Sequence, residues 1–296
     1  MVLERTLPLV GSFRDQVVLV TGASSGIGRE TALTFARQGA AVALAARRRA
    51  QLEEVAAAVT GEGGRALVVP TDVTNLKAAR AAVAKVLRKW GRLDILINNA
   101  GVLRPAPVEQ LAETDFEAML LVNVFGALFM MQAVLPAMRH ERRGTIINIA
   151  SLAGRRGITP LGGYCATKFA LVGLTEALRT ELDTTDIHVG LVMPGVVDTP
   201  MVEGFNESHT LQEWPAALNM PPDWVVAAIL LAIRFRLREI SVPPGAATME
   251  VLAALAPGIT DTLIRWGRTA TNLLAGRTGP GEGPVKKKAG RPSRSA

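Results

Sequence analysis

Seven short apolar runs, each followed by a stretch long enough for a helix, constrain this 296-residue chain more than any other feature. The runs are Gln16–Val20, Ala41–Ala45, Ala66–Val69, Leu93–Ile97, Thr145–Ile149, His188–Val192 and Glu239–Val242. Several are near-continuously hydrophobic, as expected of parallel strands covered on both faces. The intervening segments have the crossover lengths that parallel pairing needs. Gly39 and Gly91 stand where helices should stop, and Thr159-Pro160 marks a helix start. The pattern predicts an α/β fold: a doubly wound, seven-stranded parallel sheet with helices on both faces.

Residues 1–13 form an N-terminal extension, and 14–243 hold the strand–helix alternation. Residues 199–222, rich in Met, Pro and bulky apolar groups, interrupt it after the sixth strand, where a cap over a site would sit. Segment 244–275 reads as a C-terminal helical extension, and 276–296 as a disordered basic tail. That tail explains the overall charge of +7. Residues 277–296 carry six basic side chains against Glu282, which leaves +2 for the remainder. A basic nucleic-acid-binding domain is therefore not expected. Lys286, Lys287 and Lys288 with Gly290-Arg291-Pro292 superficially resemble a minor-groove hook, but have no aromatic interleaving.

Met1 to Leu9 contains Glu4 and Arg5 and no long apolar core, so no secretory signal is expected. The single cysteine, Cys165, fits a cytoplasmic, reducing setting and reads as packing. His140, His188 and His209 lack metal-ligand spacing, and no metal site is expected. Ala118 to Met138 is charge-free and nominally long enough to span a bilayer. Asn123, Gln132 and Pro136 within it favour a buried core helix.

The first strand runs into Thr21-Gly22-Ala23-Ser24-Ser25-Gly26-Ile27-Gly28, and a helix follows. Glycines let the backbone turn tightly and approach a pyrophosphate, and the helix N-terminus offers free N–H groups. A lone glycine motif is weak; its place between a strand and a helix strengthens it. About twenty residues on, where an NAD site places a carboxylate for the ribose 2′-hydroxyl, stand Ala46, Arg47, Arg48 and Arg49. A guanidinium can grip a 2′-phosphate in a fork, so NADP(H) is the expected cofactor. Arg47 is the best single candidate, and at least one of the three should be a solvated helix start.

Tyr164-Cys165-Ala166-Thr167-Lys168 places a phenol and an ammonium on one helix face. A neighbouring cation lowers a phenol's pKa by about 1–3 from about 10, so that it can exchange a proton near neutrality. Ser151 follows the fifth strand, Asn123 lies in the preceding helix, and Asn98-Asn99-Ala100-Gly101 ends the fourth strand. Pro194-Gly195, Val197 and Thr199 follow the sixth.

Together with the Thr-Gly-x-x-x-Gly-x-Gly loop, this ordered set resembles the short-chain dehydrogenase/reductase family of the Tyr-x-x-x-Lys type, over roughly residues 14–243. The resemblance implies a Rossmann-like fold and hydride transfer between a nicotinamide and a carbonyl or alcohol carbon. It makes Tyr164 the general acid/base, Lys168 the group that tunes it and holds the nicotinamide ribose, and Ser151 the substrate-orienting hydroxyl. Asn123 would hold a relay water through a helix distortion. Asp72 and Val73 would meet the adenine, Asn98 and Gly101 would brace the central sheet and flank the cofactor together with Ala100, and Thr199 would bind the carboxamide. Each has a plainer alternative: Ser151 as a loop cap, Asn123 satisfying a helix carbonyl, Lys168 as a surface charge.

Leu103, Leu152, Met201, Phe205, Trp214 and Met220 are the expected pocket lining, which suits a hydrophobic ketone, aldehyde or alcohol. Arg155 and Arg156 leave open a second substrate, a 3-oxoacyl thioester on an acyl carrier. A third alternative is an NADP-sensing binding protein without chemistry, against which the complete Ser–Tyr–Lys set argues. The resemblance also implies a homodimer or homotetramer, with the charge-free helix at the interface. Leu263, Trp266 and Leu273 with Arg265 and Arg268 suit packing on the body or a second subunit, and alternatively a weak membrane-surface contact.

Overall fold

Each apolar run forms a strand. They are β1 (Val17–Thr21), β2 (Ala41–Ala46), β3 (Arg65–Pro70), β4 (Ile95–Asn98), β5 (Arg143–Ile149), β6 (Asp186–Pro194) and β7 (Glu239–Val242). All pair in parallel, in the order β3-β2-β1-β4-β5-β6-β7. The computed structural model describes residues 2–201 and 219–246, with positions 248, 255, 256, 258 and 262 beyond them. Phe205, His209, Trp214, the candidate helix residues from 263 onward and the basic tail lie outside the described residues.

The helices are α1 (Val2–Val10), α2 (Gly26–Arg37), α3 (Arg49–Gly61), α4 (Leu76–Trp90), α5 (Glu113–Leu120), α6 (Ala127–His140), α7 (Gly162–Glu181) and α8 (Pro222–Arg234). Side chains along β1 alternate between two cores. Val18 and Val20 pack with Leu33, Phe35, Leu52 and Val225 of α2, α3 and α8. Val17 and Leu19 pack with Val83, Met130 and Leu178 of α4, α6 and α7. Both faces of the sheet are thus dry, which is why the strands read as unbroken apolar runs. Gly91 ends α4 at φ 74°, a left-handed cap that costs glycine nothing.

The N-terminal extension joins the first core. Val10 and Phe13 are buried, and the Phe13 ring meets Phe35 edge-on at 4.9 Å. The long apolar helix, expected to be a buried core helix, is buried along one face only. Met119, Asn123, Gly126, Met130, Val134 and Met138 face inward, whereas Leu121 and Phe125 are exposed. Between α5 and α6, residues Leu121–Gly126 form a π-helical turn. Glu113–His140 is the one helix among the described residues long and apolar enough to cross a membrane. Its inner side is committed to the sheet.

His188 on β6 has a buried Nε2 without a hydrogen-bond partner. Burial, reinforced by the Arg236 guanidinium, pushes its pKa down to about 4. The folded protein therefore holds the imidazole neutral, and an unfolded chain protonates it near its ordinary value of about 6.5. Stability from this group is complete above about pH 6.5 and lost as pH falls towards 4, up to about 3 kcal/mol. Denaturant titrations at pH 7.5 and 5.0 should register that loss, and His188→Leu should flatten it. An unchanged pH slope in the variant assigns the acid sensitivity elsewhere.

Candidate active site

The sheet order reverses between β1 and β4, so the loops at their carboxyl ends diverge and leave a crevice. Two adjoining hollows occupy it. The first, ≈ 370 Å³, is lined by Gly22, Ser24, Ser25, Gly26 and Ile27 of the glycine loop, and by Ala46, Arg47, Arg48, Thr71, Asp72, Val73, Ala100 and Gly101. The second, ≈ 230 Å³, is lined by Ser151, Tyr164, Lys168, Pro194, Gly195 and Val197 among largely apolar neighbours. Ile27, Asn99, Gly101, Thr199 and Met201 line both, so the hollows form one elongated site.

Local geometry explains the glycine loop. Gly22 turns at φ 67°, and a Cβ there would lie 2.8 Å from Asn99 Nδ2. Gly28 does not line the cleft; it packs behind the loop against the Gly22 carbonyl and the Asn99 amide. Asn99 Nδ2 donates to Thr21 O at 3.0 Å and reaches Gly22 O at 3.4 Å. Thr21 Oγ1 accepts from the N–H groups of Asn99 and Ala100. The loop after β4 therefore locks the loop after β1. Asn98, expected both to brace the sheet and to flank a cofactor, braces the sheet through Ala127 O at 3.2 Å and Asn148 Oδ1 at 2.9 Å but does not line the crevice. Its neighbour Asn99 is the asparagine that faces the crevice.

The three arginines after β2 separate by geometry. Arg49 pairs with Glu53 one helical turn on, at 3.3 Å. Arg48 crosses to the glycine loop, where its Nη2 donates to Ser24 Oγ at 3.2 Å and Ser25 Oγ at 3.5 Å. Arg47 lines the same hollow. The sequence singled out Arg47, but the arginine tied to the loop is Arg48. Asp72 Oδ1 accepts from the Thr74 N–H and hydroxyl at 3.0 and 2.8 Å, which fixes the turn after β3.

In the second hollow Lys168 is buried, its Nζ 5.5 Å from the centre of the Tyr164 ring and donating to Ile149 O at 2.9 Å. Ser151 Oγ donates to Pro194 O at 3.3 Å and accepts from the Ala153 N–H at 3.1 Å, and it shares the wall of the hollow with Tyr164. One expectation is corrected here. Burial pushes the phenol up to about 12, and the neighbouring Ser151 hydroxyl opposes it only in part. Burial also pulls the Lys168 amine down to about 8. The Lys168 amine donates to Ile149 O instead, and burial decides the acidity of the phenol. At neutral pH Tyr164 keeps its proton and is poised as an acid.

Asn123 is buried within the π-helical turn, so the helix distortion expected at this position is present. Its side chain is fully engaged, clasping Val102 N and O at 2.8 Å each and Thr167 Oγ1 at 3.0 Å. Thr199 sits where the two hollows meet. Of the expected pocket residues, Leu103, Leu152 and Met201 line the second hollow, whereas Met220 packs into the core. Ile158, Leu161, Val196 and Asn219 also line it. No chemical motif marks these, and only the fold brings them together.

Arg155 is not available to an incoming anion. It bridges Glu176 at 3.1 Å and Glu239 at 2.8 Å, tying the Ser151 loop to α7 and β7. Among the described residues, no cluster of His, Cys, Asp and Glu could hold a metal.

Residues 16–210 match the short chain dehydrogenase family. A sorbitol dehydrogenase of Cereibacter sphaeroides is 41% identical over 184 residues, covering 62% of this chain and 71% of that protein. The 3-oxoacyl-[acyl-carrier-protein] reductase FabG of Thermotoga maritima is 36% identical over 218 residues, 73% of this chain and 89% of that protein. Among solved structures, the 3-ketoacyl-(acyl-carrier-protein) reductase of Brucella melitensis complexed with NADH superimposes with a TM-score of 0.72 at 31% identity. It covers 79% of this chain and 99% of that one. The chain therefore belongs to the short-chain dehydrogenase/reductase family, oxidoreductases that act between alcohols and carbonyls with a nicotinamide dinucleotide.

Proposed function

We propose that this protein is an NADP(H)-dependent enzyme that interconverts a hydrophobic ketone or aldehyde with its alcohol. One observation carries the reading: Ser151, Tyr164 and Lys168 meet in an apolar hollow that opens directly into the glycine-loop cleft. Bound there, the dinucleotide would supply or accept the hydride. Gly22, Ser24, Ser25, Gly26 and Ile27 would hold its pyrophosphate, Asp72 and Val73 the adenine side, and Thr199 the carboxamide. Ala100, Gly101, Pro194, Gly195 and Val197 form the adjoining walls.

Ser151 would fix the substrate oxygen and Tyr164 would hand it a proton from its hydroxyl. Lys168, between the ring and Ile149 O, would restore the positive field as that proton leaves. Asn123 would act by positioning, since its amide holds the Val102 backbone and the Thr167 hydroxyl. At neutral pH the Tyr164 hydroxyl carries its proton, the form that protonates a carbonyl oxygen, and the ratio of reduced to oxidised cofactor sets the direction. Parallel assays of NADPH and NADH over ketones, aldehydes and acyl thioesters test the assignment. No oxidation of either cofactor across that panel sinks it.

The preference for NADP(H) rests on Arg47 and Arg48 in the cleft, where no carboxylate ends β2. A charge-assisted hydrogen bond contributes about 1.5–3 kcal/mol, or roughly 10–150-fold in affinity. Arg48→Ala should weaken NADPH by that factor and leave NADH nearly unchanged, as measured by titration of each cofactor. Equal losses for both would mean that Arg48 only props up the loop.

A 3-oxoacyl-thioester substrate remains a second reading, favoured by the likeness to carrier-protein reductases. The ion pairs of Arg155 weigh against a docking role for that residue. Assembly into a homodimer or homotetramer is supported by the exposed Leu121, Phe125 and Phe169, large apolar side chains on α7 and on the helix formed by α5, the π turn and α6. Cys165 is buried and held by the Ile158 N–H, which fits packing in a cytoplasmic enzyme.

A further inference from the structure

Six polar side chains line the hollow that holds Tyr164: Asn99, Ser151, Tyr164, Lys168, Thr199 and Asn219. Four are hydrogen-bonded: Asn99 to the backbone of Thr21 and Gly22, Ser151 to Pro194 O and the Ala153 N–H, Lys168 to Ile149 O, and Thr199 to Val197 O at 3.3 Å. The fifth, Tyr164, is the proton donor of the reaction proposed above. Asn219 has no hydrogen bond to any described residue, although its amide carries two donors and an acceptor. Its surroundings in the wall are apolar: Leu103, Leu152, Ile158, Leu161, Val196 and Met201 line the same space.

The backbone sets where this amide points. Met220 bridges to Val197, with Met220 N donating to Val196 O at 3.0 Å and Asp198 N donating to Met220 O at 2.9 Å. In extended chain, neighbouring side chains face opposite ways. Met220 is buried in the core at 7% exposure, which sends Asn219 into the hollow. Pro221 then caps α8, so the position is fixed on its C-terminal side as well. An amide in a largely apolar wall, with no protein partner among the described residues, is free to hydrogen-bond a ligand that fills the hollow.

We infer that Asn219 is a specificity-determining residue that hydrogen-bonds a second polar group on an otherwise apolar substrate. The substrate class is then a ketone or alcohol with a hydroxyl or carbonyl at its far end, such as an alicyclic keto-alcohol. The inference rests on the reductase reading above and refines it.

The test compares 2-decalone with its monohydroxylated positional isomers, using NADPH and the full chain, in wild type, Asn219→Leu and Asn219→Asp. Wild type should favour at least one isomer over the parent ketone by tenfold or more in kcat/KM. Asn219→Leu should abolish that preference through KM, bringing the ratio of kcat/KM between isomer and parent to about one, and leave the thermal midpoint unchanged or higher. Asn219→Asp, which only accepts at neutral pH, should keep the hydroxylated substrate and lose the matching diketone. No preference in wild type, or equal losses on parent and isomer in Asn219→Leu, overturns the role of Asn219 while the reductase reading stands. If wild type reduces none of these ketones or the wider carbonyl panel, both fall together.

Discussion

Tyr164→Phe should lower kcat for carbonyl reduction by about 10²–10⁴-fold while NADPH binds within about twofold of wild type. The substitution removes one oxygen and keeps the ring over which Lys168 sits, so the wall of the hollow is preserved. What disappears is the proton donor beside Ser151. An effect confined to kcat is the mark of a group that acts on the reacting atoms rather than on binding. Single-turnover kinetics with NADPH measure it, and a variant that turns over like wild type would remove Tyr164 from the chemistry. The chain contains a single tyrosine, so tyrosinate absorbance reads its ionisation without overlap from a second phenol. The onset should lie well above the usual value of about 10, in line with a phenol raised to about 12 by burial.

Gly28→Ala should be comparably damaging for a purely steric reason. The added Cβ would lie 2.3 Å from Gly22 O, 2.5 Å from Asn99 Nδ2 and 2.8 Å from Gly22 C. Two of those atoms are backbone and the third belongs to an amide hydrogen-bonded to Thr21, so none can yield cheaply. Overpacking of this kind costs about 1–3 kcal/mol, roughly 2–12 °C in thermal midpoint for a domain of this size. Displacing Gly22 also moves the N–H groups of the loop away from an anion, so dinucleotide affinity should fall by about 100-fold or more. Gly61→Ala is the matched control, because a Cβ there meets nothing within 4 Å. Thermal unfolding and cofactor titration on both variants decide the matter. Wild-type affinity in Gly28→Ala would mean that the loop tolerates a shift this geometry forbids.

These two substitutions draw on different kinds of information. The Tyr164–Lys168 spacing is visible in five consecutive letters, because a helix places i and i+4 on one side. The Gly28 contact is not, since Asn99 lies about seventy residues further along the chain. The acidity of the phenol belongs with the second kind. The sequence supplied a neighbouring ammonium and suggested a lowered pKa; the fold turned that ammonium to Ile149 O and buried both groups.

What the sequence determined by itself was a seven-stranded parallel sheet covered by helices on both faces, and the set of chemical groups that follow its strands. Unbroken apolar runs can be satisfied only between two layers of helices, and local spacing carries motifs such as Thr21–Gly28 and Tyr164–Lys168. Tertiary structure alone decided which of three adjacent arginines reaches the glycine loop, that Arg155 is neutralised by Glu176 and Glu239, and that Asn219 lines the hollow of Tyr164. Those outcomes depend on solvation and on partners distant in the chain, and neither is encoded in the spacing of neighbouring residues.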